Sequence, residues 1–393
     1  MALRLGILDI VNTDHAALNF LAHRVGWINQ NTEFQNDIIC STGPHLGRVK
    51  VHGARIEAMP IPRGLSPVAL GMLLVRTVRH MRRNNYTIVH THNSITGAIG
   101  RMAARIARVP LVIHTTHGFH FHENMSRLRS LPYVEAERRL ARMCDVLLCQ
   151  NREEVGLIHR FGLQARLGVY HVGNGINLKE FAPRPSLPTN DRPTLLCVGR
   201  LEGVKNHPML FKALAALRKR GPVRLRLVGE GPLEAEYKSY LSGEGLADDV
   251  EFLGYRYDIP ALTASADVVV LTSVKEGIPR ALMQAAAVGV PVVATEVKGT
   301  REVVVDGETG YMVALDDVDA LVDRLTALLD SEPLRREMGA AAVSHARAQF
   351  DENRVAERLA RIYRIALRGR SLAEVEPERT IIAPTVEAER LHA

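Results

Sequence analysis

The chain of 393 residues is longer than one ordinary domain, and its 46% hydrophobic and 24% charged residues are typical of a globular protein. We therefore expect two domains of similar size. The sequence has no uninterrupted apolar run of the roughly 20 residues that span a membrane, and its N-terminus lacks the pattern of a signal peptide. A cytoplasmic protein is expected.

The net charge of +7 is unevenly distributed. Residues 1–180 contain 22 Lys and Arg against 12 Asp and Glu, whereas the remainder contains 28 against 31. A basic half suits an anionic partner, either a phosphorylated acceptor or a lipid surface. Nucleic acid is disfavoured, because no nucleic-acid motif or interleaved aromatic residues accompany the arginines.

Apolar runs of strand length alternate with helical patterns along the first half, which predicts a parallel sheet with crossover helices. The predicted strands are LRLGILDIV, NDIICST, YTIVHTH, PLVIHTTHG and DVLLCQN, with helices over Pro67 to Arg83 and Ser94 to Ala107. The four cysteines (Cys40, Cys144, Cys149 and Cys197) lie in or beside apolar strand-like runs without metal-ligand spacing. They are interpreted as buried thiols of a reducing compartment.

A proline-containing segment then separates two α/β units of the same class. The second unit contains the strands PTLLCVGRL, VRLRLVGEG, DVEFLGYR, DVVVLTS and PVVATEV. We predict doubly wound domains over 1–180 and 193–352, a linker over 181–192, a helix over 353–370 that packs back towards the first domain, and a tail over 371–393. Ligands of such sheets bind outside the carboxyl ends of the strands, so a cleft between the domains is expected to hold the substrates.

The stretch from Asp267 to Gly310 is the most informative, because a strand runs into a Glu-Gly-x-Pro turn, a helix, a second strand and a Gly-rich turn. Pro279 fits the first helical position, where free backbone amides and the helix dipole favour a diphosphate. Gly277 permits close approach of the backbone. Glu276 can accept hydrogen bonds from sugar hydroxyls, and Gln284 lies one and a half turns into the helix, where it can reach a ribose.

This stretch resembles the signature of the retaining glycosyltransferases of family 4, which have the GT-B fold. Further matching motifs are VGRLEGVKN (198–206), LVGEGPL (227–233), FLGYRYDI (252–259) and VVVDGETGYMV (303–313). In the first half, IPRGLSP (61–67), residues 88–123 and VGNGINLKEF (172–181) resemble a bacterial subgroup that builds exopolysaccharide, capsule or related surface glycans. The resemblance covers most of the chain.

The resemblance implies a role for each matching residue. Arg200 and Lys205 match the basic pair that neutralises the donor diphosphate as it leaves. Glu276 matches the glutamate on the donor sugar, and no metal is needed. The remaining donor-binding residues that it implies are Gly229, Glu230, Tyr255 and Arg256 around the base and Gly277, Ile278 and Pro279 at the turn.

One position departs from the family pattern. The signature normally has a second glutamate that holds the ribose hydroxyls, and this chain has Gln284 there. Glutamine loses the charge-assisted hydrogen bond, which predicts donor binding weaker by about 1 kcal/mol. A non-catalytic relative is the alternative interpretation of this substitution.

Histidines are concentrated in the segment His114-Thr-Thr-His117-Gly-Phe-His120-Phe-His122. Their spacing does not match zinc-ligand sets, so metal binding is disfavoured. In the resembling subgroup His117 lies near the donor sugar, and we expect His120 and His122 to face the acceptor. His114 is interpreted as structural.

Two other strand ends are predicted to contribute to the site. Backbone amides of Asn12 and Thr13, after the first strand, are expected to contact the diphosphate. His92 and Asn93 are expected on the acceptor side, where the subgroup often has a lysine at the position of Ile95.

A basic helix in the first half has two interpretations. It can dock on an anionic membrane or be an ordinary core-packing helix with a solvated basic face. Its residues are Leu73, Leu74, Arg76, Val78, Arg79, Arg82 and Arg83.

The predicted activity is a metal-independent, retaining transfer of a hexose-type sugar from a nucleotide diphosphate to an acceptor hydroxyl. No cofactor is expected: the nucleotide sugar is a co-substrate, with a UDP-sugar favoured over a GDP-sugar. The favoured acceptor is a polyprenyl-diphosphate-linked saccharide of surface-polysaccharide synthesis, met at the inner face of the cell membrane. A soluble acceptor, a sugar-nucleotide epimerase or hydrolase, and a non-catalytic nucleotide-sugar-binding protein are the alternatives.

Overall fold

The computed structural model describes residues 4–369 except 63, 65 and 120–126. They form two compact units, the first comprising the chain up to Asn174 and from Glu352 onward, the second comprising Gly175–Asp351. We call these unit 1 and unit 2. The first boundary lies before the predicted linker, and residues 181–192 form irregular chain within unit 2.

Unit 1 is built on a seven-stranded parallel sheet in the order β3-β2-β1-β4-β5-β6-β7, as a doubly wound domain requires. Its strands are β1 Leu5–Ile10, β2 Phe34–Ser41, β3 Ile56–Met59, β4 Ile88–His92, β5 Leu111–Thr116, β6 Val146–Cys149 and β7 Gly168–His171. Its helices before the boundary are α1 Asp14–Ala16, α2 Ala22–Asn31, α3 Pro67–Asn84, α4 Ser94–Ala107, α5 Arg127–Ala141 and α6 Arg152–Arg160, with a π-helical turn over Ala17–Leu21.

Unit 2 contains a six-stranded parallel sheet in the order β10-β9-β8-β11-β12-β13. Its strands are β8 Thr194–Val198, β9 Arg224–Val228, β10 Val250–Phe252, β11 Val268–Leu271, β12 Val292–Thr295 and β13 Gly310–Val313. Its helices are α7 His207–Arg218, α8 Glu234–Gly243, α9 Ile259–Ala264, α10 Arg280–Val288, α11 Val318–Asp330 and α12 Glu332–Gln349.

Successive residues of a strand point to opposite sides of the sheet. Buried apolar residues lie on both sides of each sheet here, so both faces are covered. In β1, Leu8 belongs to the core under α3 and α4, while Ile7 belongs to the core on the other face. In β11, Val268 and Val269 divide in the same way between two cores of unit 2. The four cysteines are buried, as predicted.

The last described helix, α13 (Glu352–Leu367), belongs to unit 1. Its apolar side joins the core that contains Ile7, with Tyr363 fully buried against Phe34. Arg364 donates two hydrogen bonds to the carboxylate of Glu33, at 2.8 and 2.7 Å. A helix from a distant part of the sequence thereby packs on this face of the unit 1 sheet.

Candidate active site

A buried ion pair joins two loops at the carboxyl edge of the unit 2 sheet. Lys205 ends the turn after β8, and its Nζ donates to Oε1 of Glu276 at 2.6 Å. Ser273 Oγ, just after β11, donates to the same oxygen at 2.6 Å. The side chains of Lys205 and Glu276 are only 20% and 11% exposed. A cation and a carboxylate predicted for the donor are therefore held together within a partly desolvated site.

Further hydrogen bonds tie these two loops to each other. The hydroxyl of Thr272 donates to the backbone carbonyls of Lys205 and Asn206, at 3.1 and 3.0 Å. The amide of Val274 donates to the carbonyl of Val204 at 2.9 Å. The ion pair therefore sits on a backbone that is fixed from both sides, which limits the reorganisation needed when charge develops nearby.

Two glycines allow the loops to approach more closely than any side chain would permit. Gly229 has φ +138°, and a Cβ there would lie 2.0 Å from the carbonyl oxygen of Gly199. Gly299 has φ +82°, and a Cβ there would lie 2.2 Å from the carbonyl oxygen of Gly277. Both contacts hold loops that carry predicted donor-binding residues.

The predicted diphosphate turn precedes α10, but the helix starts one residue later than expected. Pro279 is its N-cap, with φ −76° and ψ 103°, and Arg280 is the first helical residue. The prediction of Pro279 at the first helical position was wrong by one residue. The ψ of Pro279 is extended, but its carbonyl already accepts the amides of Leu282 and Met283, which is the geometry of an N-cap residue. Ile278 is buried beneath the turn.

Gln284 lies on α10 and is half-buried. Within the part of the chain that the structure describes, the side-chain amide of Gln284 has no hydrogen-bond partner. The adjacent Leu282, Met283 and Ala285 pack into the core, so α10 holds Gln284 in a fixed direction.

The second predicted cation has another partner. The guanidinium of Arg200 lies 2.8 Å from Glu202, and its side chain is 69% exposed. Arg200 therefore occupies the outer side of the β8 loop, whereas Lys205 is held inward by Glu276.

The predicted base wall follows β9 and β10. The backbone carbonyl of Glu230 accepts the amide of Leu201 at 3.1 Å, and the amide of Gly229 donates to Gly254 at 2.8 Å. Tyr255 packs edge-on against Tyr257, with ring centroids 5.0 Å apart. Arg256 makes two hydrogen bonds to Asp258 at 2.8 and 2.6 Å, and both side chains are exposed.

In unit 1, histidines from two neighbouring strands converge at the carboxyl edge of the sheet. Nε2 of His92, at the end of β4, lies 3.1 Å from Oδ1 of Asp9 in β1. Nδ1 of His92 lies 3.2 Å from Nε2 of His117, which follows β5. His90 is bonded to Tyr363 and Thr115, each at 2.7 Å. Asp9 was not predicted from the sequence, although an acidic residue inside a buried strand run is a usable signal of a polar site.

Burial dominates the ionisation of this cluster. It lowers the pKa of His90, His92 and His114 well below the ordinary value, and neighbouring positive groups lower it further. Burial raises the pKa of Asp9, with His90 and Arg24 opposing the shift. His114 is bonded to the hydroxyl of Thr91 at 2.9 Å, the structural role predicted for it.

The loop after β1 lies beside the loop after β4. The amide of Asn12 is 3.5 Å from Oδ1 of Asn93, and Thr13 caps α1 by accepting the amide of Ala16 at 3.0 Å. The side chain of Thr13 is thus a helix cap. His120 and His122 lie outside the described residues.

The basic helix α3 has two apolar stripes. Leu73 and Val78 are buried and Leu74 packs against them, so the apolar residues first considered for a membrane face belong to the core. That part of the membrane hypothesis was wrong. A separate stripe is exposed, with Val68 at 72%, Met72 at 54% and Val75 at 47%.

Two family descriptions match the sequence. Residues 179–345 match glycosyl transferases group 1, and residues 30–173 match the glycosyl transferase 4-like domain. Within the described residues, no helix is long and apolar enough to cross a membrane.

Several characterised or named proteins are similar over most of their length. The putative glycosyltransferase EpsD of Bacillus subtilis is 32% identical over 71% of this chain and 76% of its own. The UDP-Gal:alpha-D-GlcNAc-diphosphoundecaprenol alpha-1,3-galactosyltransferase of Escherichia coli is 28% identical over 77% of this chain and 82% of its own. A D-inositol 3-phosphate glycosyltransferase of Corynebacterium diphtheriae is 31% identical over 77% and 75%.

Solved structures share the fold at low sequence identity. The sucrose-phosphate synthase of Thermosynechococcus elongatus superposes with a TM-score of 0.79 at 21% identity, over 93% of this chain and all of its own. Anabaena HepE in complex with UDP and glucose has a TM-score of 0.78 at 21% identity, over 92% of this chain and all of its own.

Proposed function

Because this chain belongs to the GT-B glycosyltransferases of the family 4 type, we propose that it transfers a hexose from a nucleotide-diphosphate sugar to an acceptor hydroxyl with retention of configuration. The observation that carries this proposal is the pairing of Lys205 with Glu276 at 2.6 Å on tightly fixed loops. An ammonium group held in a partly desolvated site is suited to a leaving diphosphate.

The reaction breaks the bond between the anomeric carbon and the diphosphate oxygen, which leaves with the electron pair. The acceptor oxygen attacks from the same face, and its proton goes to the departing phosphate oxygen. Lys205 and the exposed Arg200 stabilise the growing negative charge, and Glu276 binds sugar hydroxyls. The proposal assigns no protein nucleophile and needs neither a metal nor a cofactor, because the two cations and the start of α10 neutralise the diphosphate.

The proposed donor is a UDP-sugar. Two similar proteins support this choice: HepE was solved with UDP and glucose, and the Escherichia coli relative is named for UDP-galactose. In unit 2, the base is held mainly by backbone around Gly229 and Glu230, and the diphosphate by Gly277 and the amides after Pro279.

The proposed acceptor is a polyprenyl-diphosphate-linked saccharide of a surface polysaccharide, with Asn93 on the acceptor side. His92, which was also predicted there, is almost completely buried and bonded to Asp9 and His117, so it does not face an acceptor. The diphosphoundecaprenol acceptor in the name of the Escherichia coli relative supports this class. The exposed stripe of α3 supports access to a lipid surface, because Met72 and Val75 lie beside the exposed Arg76 and Arg79. We propose peripheral contact with an anionic leaflet at this stripe.

A soluble acceptor is the second candidate within the same activity. It is favoured by the similarity to the D-inositol 3-phosphate glycosyltransferases, whose named acceptor is a small molecule. The epimerase and hydrolase alternatives need titratable groups for proton transfer on the sugar or for water activation. At the unit 2 site the carboxylate of Glu276 is bonded to Lys205 and Ser273, which disfavours these alternatives.

A binding and turnover panel tests this function. Thermal shift and calorimetry with UDP, GDP, UDP-hexoses and GDP-hexoses should give the largest stabilisation with a UDP-sugar, because a ligand that binds only the folded state raises its apparent stability. Turnover should persist in EDTA. Binding without turnover on any acceptor would favour the non-catalytic alternative, and binding of no nucleotide would contradict the proposal.

Vesicle sedimentation tests the proposed membrane contact. The double variant Arg76→Gln and Arg79→Gln should bind anionic vesicles about thirtyfold more weakly at low salt, at roughly 1 kcal/mol per basic residue. The matched control changes two exposed arginines elsewhere in unit 1, Arg142→Gln and Arg160→Gln, and should bind as wild type. Equal loss in both variants, or no binding by wild type, would contradict a contact through α3.

A further inference from the structure

A buried serine in unit 2 holds one oxygen of the Glu276 carboxylate. Ser273 lies two residues after β11 and is completely buried, and its Oγ donates to Oε1 of Glu276 at 2.6 Å. Nζ of Lys205 donates to the same oxygen, also at 2.6 Å. Two donors therefore meet at one oxygen of this carboxylate, and all three side chains belong to unit 2.

The other oxygen of this carboxylate remains available as an acceptor. Within the residues that the structure describes, Oε2 of Glu276 makes no hydrogen bond, but it retains some accessible surface. The Glu276 side chain as a whole is only 11% exposed. Oε2 is therefore the acceptor that Glu276 presents at the carboxyl edge of the unit 2 sheet.

The direction of Oε2 depends on the donors at Oε1. The last side-chain torsion of a glutamate is soft, so a carboxylate with a single mobile partner can turn about it at little cost. The ammonium group of Lys205 carries three N–H donors on a flexible stem, and it can follow the carboxylate as it turns. The hydroxyl of Ser273 is on a short side chain. It therefore restricts the plane of the carboxylate more strictly than Lys205 does.

Ser273 is itself held from a neighbouring strand. Thr295, at the end of β12, donates its hydroxyl to the backbone carbonyl of Ser273 at 2.5 Å, and Thr295 is also buried. Because Ser273 is shielded from water, its hydroxyl cannot exchange Glu276 for a solvent partner, and a buried hydroxyl needs an acceptor. Ser273 is therefore a fixed donor to the carboxylate.

We propose that Ser273 is a positioning residue that sets the plane of the Glu276 carboxylate and so aims Oε2 at a hydroxyl of the donor sugar. This inference rests on the proposed function, in which Glu276 binds that sugar. A carboxylate paired with the Lys205 ammonium only accepts hydrogen bonds, so the group that it recognises is a hydroxyl. A sugar with hydrogen in place of that hydroxyl would leave Oε2 without a partner. Ser273 thus contributes to sugar recognition without contacting the sugar.

Calorimetry with two ligands separates this positioning role from a structural one. In Ser273→Ala, the affinity for a UDP-sugar should fall roughly tenfold, the equivalent of one hydrogen bond. UDP lacks the sugar and should bind as tightly as it binds to wild type. Equal losses of UDP and UDP-sugar affinity would show that Ser273 only supports the loop. An unchanged affinity for the UDP-sugar would show that Ser273 does not orient Glu276, and either result overturns the proposal.

Two more variants complete the comparison. Ser273→Cys should resemble Ser273→Ala, because a thiol is a weak donor, and it decides the result if the alanine variant does not fold. The matched control is Ser265→Ala, which removes a serine hydroxyl from the segment before β11. Ser265 donates to the carbonyl of Leu262 at 2.8 Å, and its variant should bind both ligands as wild type does.

A double-mutant cycle tests whether Ser273 acts through Glu276. In a Glu276→Ala background, Ser273→Ala should cause no further loss of UDP-sugar affinity, because the carboxylate that it positions is gone. A second loss of similar size would overturn the proposal. Wild type distinguishes the two levels of the inference: if it binds no UDP-sugar, the proposed function fails. If wild type binds a UDP-sugar and the Ser273 variants bind it equally well, only the role of Ser273 fails.

Discussion

Removal of the buried ammonium group should separate stability from activity at the candidate site. In Lys205→Met, Glu276 keeps only the hydroxyl of Ser273 as a hydrogen-bond partner among the contacts described above. Because both charged side chains are at least four-fifths buried, loss of this charged hydrogen bond should cost about 1.5–3 kcal/mol. For a unit of this size that corresponds to a fall in Tm of roughly 3–10 °C.

The same variant should lose activity by a different mechanism. A preorganised cation at the leaving diphosphate is comparable to one oxyanion donor, whose removal lowers turnover by about 10²–10³-fold. The double variant Lys205→Met with Glu276→Gln should recover part of the lost Tm, because it leaves no unpaired buried charge. It should recover none of the activity.

Differential scanning calorimetry and turnover with a UDP-sugar measure the two effects. Lys238→Met is a matched control, because Lys238 pairs with Glu234 at the same distance of 2.6 Å but is 54% exposed. It should change stability by less than about 1 kcal/mol and leave turnover unchanged. Unaltered turnover and UDP affinity in Lys205→Met would refute the assignment of this ammonium group to the diphosphate.

Three further predictions concern unit 2. Gln284→Glu should tighten UDP-sugar binding about fivefold by calorimetry, the equivalent of about 1 kcal/mol, and an unchanged or weaker affinity would show that this position does not hold the ribose. Gly229→Ala should destabilise the protein by roughly 2–5 kcal/mol in denaturant titrations, since the added Cβ would meet the Gly199 carbonyl. The control Gly203→Ala should be neutral, because a Cβ at Gly203 has no other atom within 4 Å. Burial lowers the pKa of His207 from 6.5 to about 4, so the unfolded chain binds the extra proton first, and His207 alone should account for about 3 kcal/mol of stability lost between pH 6.5 and 4. Because other buried histidines also have a lowered pKa, this share is measured as the difference in pH slope between wild type and His207→Leu; equal slopes would contradict it.

The strands inside each sheet were predictable from sequence, whereas three of the four edge strands were not. Helices α3 and α4 match the predicted ranges to within a residue, because their apolar spacing is regular. The strands β3, β7 and β13 were not predicted, since each has four residues and only one or two of them are buried. Short edge strands lack the continuous apolar run on which the prediction depends.

The pairing within the candidate site was not predictable from the sequence. The donor-binding roles of Lys205 and Glu276 were predicted separately and stay predictions, and only the folded loops show that the two residues bind each other. Ser273 and Asp9 were missed because a serine just after a buried strand, or an aspartate within one, has many possible partners. The long-range pairs between β1, β4 and the loop after β5 depend on strand order, which the sequence pattern did not specify.

Product stereochemistry tests the central claim most directly. The protein would be incubated with an α-configured UDP-hexose and a polyprenyl-diphosphate-linked saccharide in EDTA, and the anomeric coupling of the new linkage measured by proton NMR. The account predicts an α-linked product and release of UDP. A β-linked product, or no transfer from any nucleotide sugar that binds, would contradict it.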